Sequence, residues 1–184
     1  SSKAVPEAIT ESGGEPLMQP GIETAVRRVR EMGFEVALHT NGFFPERLEE
    51  LLFRKLVTYV AMDIKSSSDG YRSSFGVDTT DPVVRSARLL AGSGISHEFR
   101  TTVHPEIITD GDILRVADML QGIGCDHFIL QKFRPGNVLD PALKESGADW
   151  VRAATVRELA RRFRHFEVLG DPVFEEMARH PKAA

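Results

Sequence analysis

Two glycines and a carboxylate stand together in Ser12-Gly13-Gly14-Glu15-Pro16, shortly after the apolar pair Ala8-Ile9. Without a Cβ, glycine backbone reaches positive φ and lets its N–H and C=O groups approach a ligand closely. An ionised Glu15 accepts hydrogen bonds from an ammonium group, and Pro16 fixes the exit of the chain. The chemistry on offer is the grip of an amine-bearing ligand. The same five residues also make an ordinary turn between a strand and a helix, so the choice rests on what the rest of the chain places beside them.

Three more polar groups stand at the close of apolar segments: His39-Thr40-Asn41, Asp63 with Lys65, and Arg100-Thr101-Thr102. Each has a plain reading as well. His39 serves as a loop hydrogen-bonding group, Thr40-Asn41-Gly42 as turn chemistry, and Asp63 with Lys65 as a structural ion pair.

The elements that must position these groups alternate regularly. Residues 7–11 read as a strand, followed by a helix over 20–32 with Ile22, Ala25, Val26 and Val29 at helical spacing and Gly33 closing it. Residues 34–38 form the next strand. A helix then starts at Pro45, with Leu48, Leu51 and Leu52 as its stripe. The β-branched and aromatic run 57–64 is the strongest strand signal. A polar loop over 65–80 leads to a helix that Asp81 caps and Pro82 opens, with Val83, Val84, Ala87, Leu90 and Ala91 inward and Gly94 as its end.

The pattern continues with strand 97–103, helix 109–122 behind a Thr109/Asp112 capping box, strand 126–133, a loop over 134–147, helix 149–163 and strand 166–169. Such β/α alternation implies a parallel sheet covered by helices, either a barrel or an open doubly wound sheet. In both, ligands sit beyond the C-terminal ends of the strands, and four independent segments deliver polar residues there. That convergence favours the ligand-binding reading of Glu15.

Composition bounds the alternatives. The 184 residues suit one compact domain. With 41% hydrophobic and 27% charged residues, the chain is neither disordered nor membrane-spanning as a whole. No run approaches the roughly 20 apolar residues that cross a bilayer, and no signal peptide is evident, so the expected location is cytoplasmic. A net charge of −4 argues against a broad nucleic-acid surface. The arginines at 157, 161, 162 and 164 read as the solvated face of a helix. Cys125 is the single cysteine, expected as a buried structural thiol that forms neither a disulfide nor a metal site by itself.

Five ordered segments resemble one family. Ser12-Gly13-Gly14-Glu15-Pro16, Thr40-Asn41-Gly42, the run from Tyr59 to Lys65, Glu98-Phe99-Arg100-Thr101-Thr102-Val103, and Leu130-Gln131-Lys132-Phe133-Arg134-Pro135 look like successive strand-end signatures of the radical S-adenosylmethionine (SAM) activases of glycyl radical enzymes. The likeness is greatest to the activating proteins of anaerobic ribonucleoside-triphosphate reductase. It implies a partial (β/α)6 TIM-like barrel with outer helices that lacks its first β/α unit. It also implies a SAM site in which Gly13, Gly14, Glu15 and Pro16 hold the methionine amino group. Thr40, Asn41, Asp63 and Lys65 would line the rest, with Arg100 near carboxylate or ribose and Phe133 near adenine. In such activases an electron from a 4Fe-4S cluster, delivered by a reductant such as flavodoxin or ferredoxin, cleaves SAM, and the resulting radical takes hydrogen from a glycine of the partner enzyme.

Two departures qualify the resemblance. The family's CxxxCxxC cluster loop is missing, and thiolates are needed to hold such a cluster. The expectation is therefore the C-terminal portion of a longer protein, inactive in SAM cleavage as it stands. His39 replaces an aspartate frequent in relatives, which puts a cation site there in doubt, and no bound metal is expected in this chain. Two alternatives stay open: a Schiff-base aldolase or lyase using a desolvated Lys65, and a non-catalytic module that binds SAM or a partner enzyme.

Overall fold

The computed structural model describes residues 8–11, 14–65, 80–135 and 144–180. Gly13, most of the polar loop expected over 65–80 and most of the loop expected over 134–147 lie outside them. The chain divides into two compact units, 1–63 with 79–98 and 64–78 with 99–184.

In the first unit, β1 (Ala8–Glu11), β2 (Glu35–Thr40) and β3 (Tyr59–Asp63) pair parallel in sequence order. Thr10 stands beside Ala37, and Leu38 beside Val60. Val36, Leu38, Val60, Ala61 and Met62 are buried, as expected of parallel strands covered on both faces. A single 3-10 turn, Pro16–Met18, precedes α1 (Ile22–Glu31). Ile22 and Val26 form its inward line, whereas Ala25 is exposed. Gly33 follows with φ +88°, a left-handed conformation that costs glycine little.

α2 (Pro45–Phe53) carries proline in its first turn and buries Leu48 and Leu51, each contributing roughly 1.5–3 kcal/mol by leaving water. α3 (Thr80–Ser93) starts one residue before Asp81. Asp81 and Pro82 therefore lie inside its first turn, where proline costs no hydrogen bond because the first helical N–H groups have no internal partner.

In the second unit, β4 (Ser96–Val103, its first three residues belonging to the first unit), β5 (His127–Lys132) and β6 (His165–Leu169) also run parallel in order. α4 (Asp110–Gly122) has the expected capping box: Asp112 donates its N–H to Thr109 Oγ1 at 3.2 Å, and the Thr109 N–H returns to Asp112 Oδ2 at 2.9 Å. Ile113, Val116, Ala117 and Leu120 face inward.

α5 (Ala153–Arg162) begins four residues later than the sequence suggests. The cause is remote. Asp110 takes the Arg152 N–H at 3.1 Å and also the Thr155 hydroxyl, which sets the helix start. Of the arginines expected on a solvated face, Arg161 and Arg164 are exposed, whereas Arg162 is half-buried and engaged. Arg162 bridges to Asp118 and Gln121 of α4 and to Glu158, and Arg164 lies past the helix end.

A helix absent from the sequence reading, α6 (Pro172–Arg179), follows β6. Asp171 caps it and Pro172 opens it. Phe128 packs against Phe163 and Phe166 with ring centroids 5.3 and 6.3 Å apart, and Trp150 against Phe174 at 5.9 Å.

Candidate functional site

Glu15 stands past the end of β1 as the cap of the 3-10 turn, half-buried. Its Oε1 accepts from the Leu17 N–H at 3.0 Å and from the Thr40 hydroxyl at 2.8 Å, while Oε2 accepts from the Asn41 N–H at 2.7 Å. The carboxylate thus ties the turn after β1 to the end of β2. Thr40 is 3% exposed, and its Oγ1 also receives the Gly42 N–H at 3.1 Å. The Asn41 side-chain oxygen closes the turn by accepting from the Phe43 N–H at 3.0 Å. Asn41 therefore serves Glu15 through its backbone.

Two residues that the sequence reading did not single out support this arrangement. Ser86, fully buried on α3, donates to the Gly42 carbonyl at 2.7 Å. It lies on the same apolar face as Val83, Ala87 and Leu90, where one small polar residue gives no periodic signal. Arg47 of α2 donates to the Leu17 carbonyl at 2.6 Å and the Gln19 carbonyl at 3.0 Å, clamping the turn that Glu15 caps. Gly42 has φ +76°, and a Cβ there would collide with Met62 Cε. Only glycine fits without moving the buried methionine.

A carboxylate has about four lone-pair positions. Three donors from the protein reach Glu15, so Oε2 keeps room for one more, and no cation pairs with Glu15 among the described residues. An ammonium group fits that vacancy. Gly14 is exposed with φ +59° and has open space where a Cβ would be. Pro16 is buried beneath the turn. Asp63 closes β3 in the same unit.

The remaining expected residues lie in the second unit. Lys65 is exposed just beyond β3. Arg100 lies within β4, three residues before its end, and its carbonyl receives the Ile64 N–H at 2.7 Å. Phe133 follows β5, where its N–H bonds the Val103 carbonyl at 3.0 Å and its ring meets the His104 ring edge-on at 5.1 Å.

His104 is a third residue missed from sequence. It is 7% exposed, its Nδ1 accepts the Glu106 N–H at 3.3 Å, and its Nε2 lies 3.2 Å from the Lys144 carbonyl. Those partners require the proton on Nε2.

Cys125 is buried just before β5, with Sγ 3.3 Å from the His127 carbonyl. Burial pushes its thiol above the ordinary value, despite that bond. A cluster needs several thiolates, and this chain's one cysteine has the opposite environment. Among the described residues, no group of three or more His, Cys, Asp or Glu is placed to hold a metal ion. The residues present fit an amino group at Glu15 and do not fit an iron–sulfur cluster.

These features define an α/β protein of parallel strands and covering helices with polar groups beyond its strand C-termini. Residues 4–129, more than half of the chain, match the Radical SAM superfamily, and the chain belongs to it. A Methanocaldococcus jannaschii protein provisionally named a glycyl-radical enzyme activating enzyme is 32% identical over 145 residues, covering 76% of this chain and 60% of the relative. A 7-carboxy-7-deazaguanine synthase of Methanopyrus kandleri is 41% identical over 61 residues, 32% of this chain and 23% of the relative. The chain therefore spans only part of both.

Among solved structures, a domain of pyruvate-formate lyase-activating enzyme from Bacteroides vulgatus superposes with a TM-score of 0.67 at 17% identity, over 88% of this chain and 98% of that one. Streptococcus suis SuiB bound to S-adenosylmethionine gives 0.64 at 16% identity, over 91% of this chain and 40% of SuiB. The shared fold is a partial TIM-like barrel of parallel strands with outer helices. No helix among the described residues is long and apolar enough to cross a membrane.

Proposed function

We propose that this chain is the SAM-binding portion of a radical SAM activase that serves a glycyl radical enzyme. The observation that carries the reading is the Glu15 carboxylate, fixed by Leu17, Thr40 and Asn41 with one acceptor position left open. A methionine ammonium would complete it, with the Gly13-Gly14 backbone as further acceptor. Asp63, Lys65, Arg100 and Phe133 are proposed to line the rest of the ligand. Superfamily membership and the activase-like relative support this reading.

SAM supplies, when cleaved reductively, a carbon radical able to abstract hydrogen. This chain's own residues bind and orient the molecule. Because no thiolate set fits a cluster here, no cleavage step is assigned to these residues. Anaerobic ribonucleotide reductase is the proposed partner, on the resemblance of the strand-end segments. The Schiff-base alternative has less support, since Lys65 is exposed and desolvation is one route to a nucleophilic lysine.

Calorimetric titration of SAM against the chain and its Glu15→Ala and Asp63→Ala variants tests the site. Binding is expected to weaken in both, most in Glu15→Ala. Equal affinity in all three would remove these residues from the pocket.

A further inference from the structure

Beyond the ends of β5 and β6, within the second unit, lies a recess of about 220 Å³ lined by Gln131, Lys132, Arg134, Leu169 and Gly170. The acidic residues at its border are already engaged. Asp171 Oδ1 caps α6 through the N–H groups of Val173 at 3.1 Å and Phe174 at 3.4 Å. Its Oδ2 accepts the Trp150 indole N–H at 3.1 Å and lies 3.9 Å from Lys132 Nζ. Glu175 takes the Gly170 N–H at 3.0 Å and lies 3.8 Å from Arg179.

Arg134 has no such engagement: it forms no ion pair among the described residues. Gly170 makes its position possible. At φ +91°, a Cβ on Gly170 would stand 3.2 Å from Lys132 Cβ and 3.6 Å from both Nε and Nη2 of Arg134. Any side chain there would be strained and would crowd both cations. Among the described residues, the recess therefore joins a guanidinium without an ion pair to an ammonium whose charge is partly met by Asp171 at 3.9 Å.

We propose that this recess binds one carboxylate, with the Arg134 fork as bidentate donor, Lys132 as second cation and the Gln131 amide as neutral donor. A planar guanidinium matches a carboxylate edge with two parallel N–H bonds. The single uncompensated charge suits a monoanion better than a phosphate dianion. The site lies wholly in the second unit, goes beyond the function proposed above and does not depend on it. A free small carboxylate and an Asp or Glu side chain of a bound polypeptide present the same chemistry, and the test separates them.

The test is a titration of the full chain with acetate, glutarate, a blocked glutamate-containing peptide and inorganic phosphate at constant ionic strength. It is followed by NMR on the Gly170 amide and the Arg134 Nε–H. Saturable shifts are expected with carboxylates, lost in Arg134→Gln and weakened about tenfold in Lys132→Gln, as removal of charge-assisted donors requires. An unchanged Trp150 emission maximum in Arg134→Gln shows that the second unit, which carries the recess, is intact. Response to acetate or glutarate supports a free carboxylate, and response to the peptide alone supports a polypeptide side chain. No saturable response to any carboxylate, an undiminished response in Arg134→Gln, or tighter binding of phosphate would overturn the proposal.

Discussion

Glu15 in the first unit and Asp110 in the second are two carboxylates in similar local roles. Each accepts a hydroxyl and a backbone N–H, and each ties together elements distant in sequence. They differ in compensation. Asp110 has Arg152 Nε at 3.1 Å from Oδ2, while Glu15 has no cation among the described residues. A carboxylate whose charge is met internally fastens structure. One that is held by neutral donors alone keeps its charge unmet by those donors, which is what the proposed ammonium site requires.

The largest effect should come from the support beneath Glu15. Gly42→Ala forces a left-handed alanine against Met62 and should cost about 2–4 kcal/mol of stability, measured by urea unfolding. A loss below about 0.5 kcal/mol, within the usual range for a change away from special features, would show that the turn carries no constraint.

Next comes the exchange of charge. Glu15→Gln keeps an acceptor for Thr40 but removes the anion, and should weaken SAM binding about 30-fold, equivalent to about 2 kcal/mol. Asp110→Asn should leave SAM affinity unchanged and lower stability by about 1–2 kcal/mol. Loss of SAM binding in Asp110→Asn, or unchanged binding in Glu15→Gln, would erase the distinction.

Acid separates the structural carboxylates further. Burial alone would raise the Asp110 pKa, but the bonds from Thr155 and the Arg152 N–H, with the Arg152 charge, hold it below the ordinary value. Asp112 is likewise lowered, against burial, by bonds from Thr109 and Arg115. A carboxyl with a depressed folded pKa contributes stability above its unfolded value of about 3.9, lost as pH falls through the folded value. The double variant Asp110→Asn/Asp112→Asn should therefore show a flatter stability profile below about pH 4. An unchanged slope there would count against these two groups.

Cys125 provides the smallest effect. Its folded pKa is raised, so its contribution falls as pH climbs above the unfolded value of about 8.5. At neutral pH, iodoacetamide should label it at least about tenfold more slowly than in the unfolded chain.

Much of the strand and helix order was legible because apolar period and turn residues agree. The Thr109/Asp112 box is visible in sequence because its partners are three residues apart. The late start of α5 was not, since it depends on Asp110, some forty residues upstream. α6 was missed despite Asp171-Pro172, because only eight residues follow the last strand in helical form. At the site, Glu15, Thr40 and Asn41 could be nominated by type and placement. That Asn41 donates its backbone N–H while its side chain closes a turn is a matter of geometry. Ser86 left no trace, because one buried polar residue among apolar neighbours has no periodicity of its own, and His104 lies just past the end of β4, where no period applies.

Trp150 is the only tryptophan in the chain, 2% exposed and bonded to Asp171 beside Lys132. Its fluorescence consequently reports on one unit and is silent about the other, where Glu15 stands. Circular dichroism sums over both. Comparing the two signals through a denaturation series measures whether the molecule unfolds as a single cooperative body or releases its halves in turn.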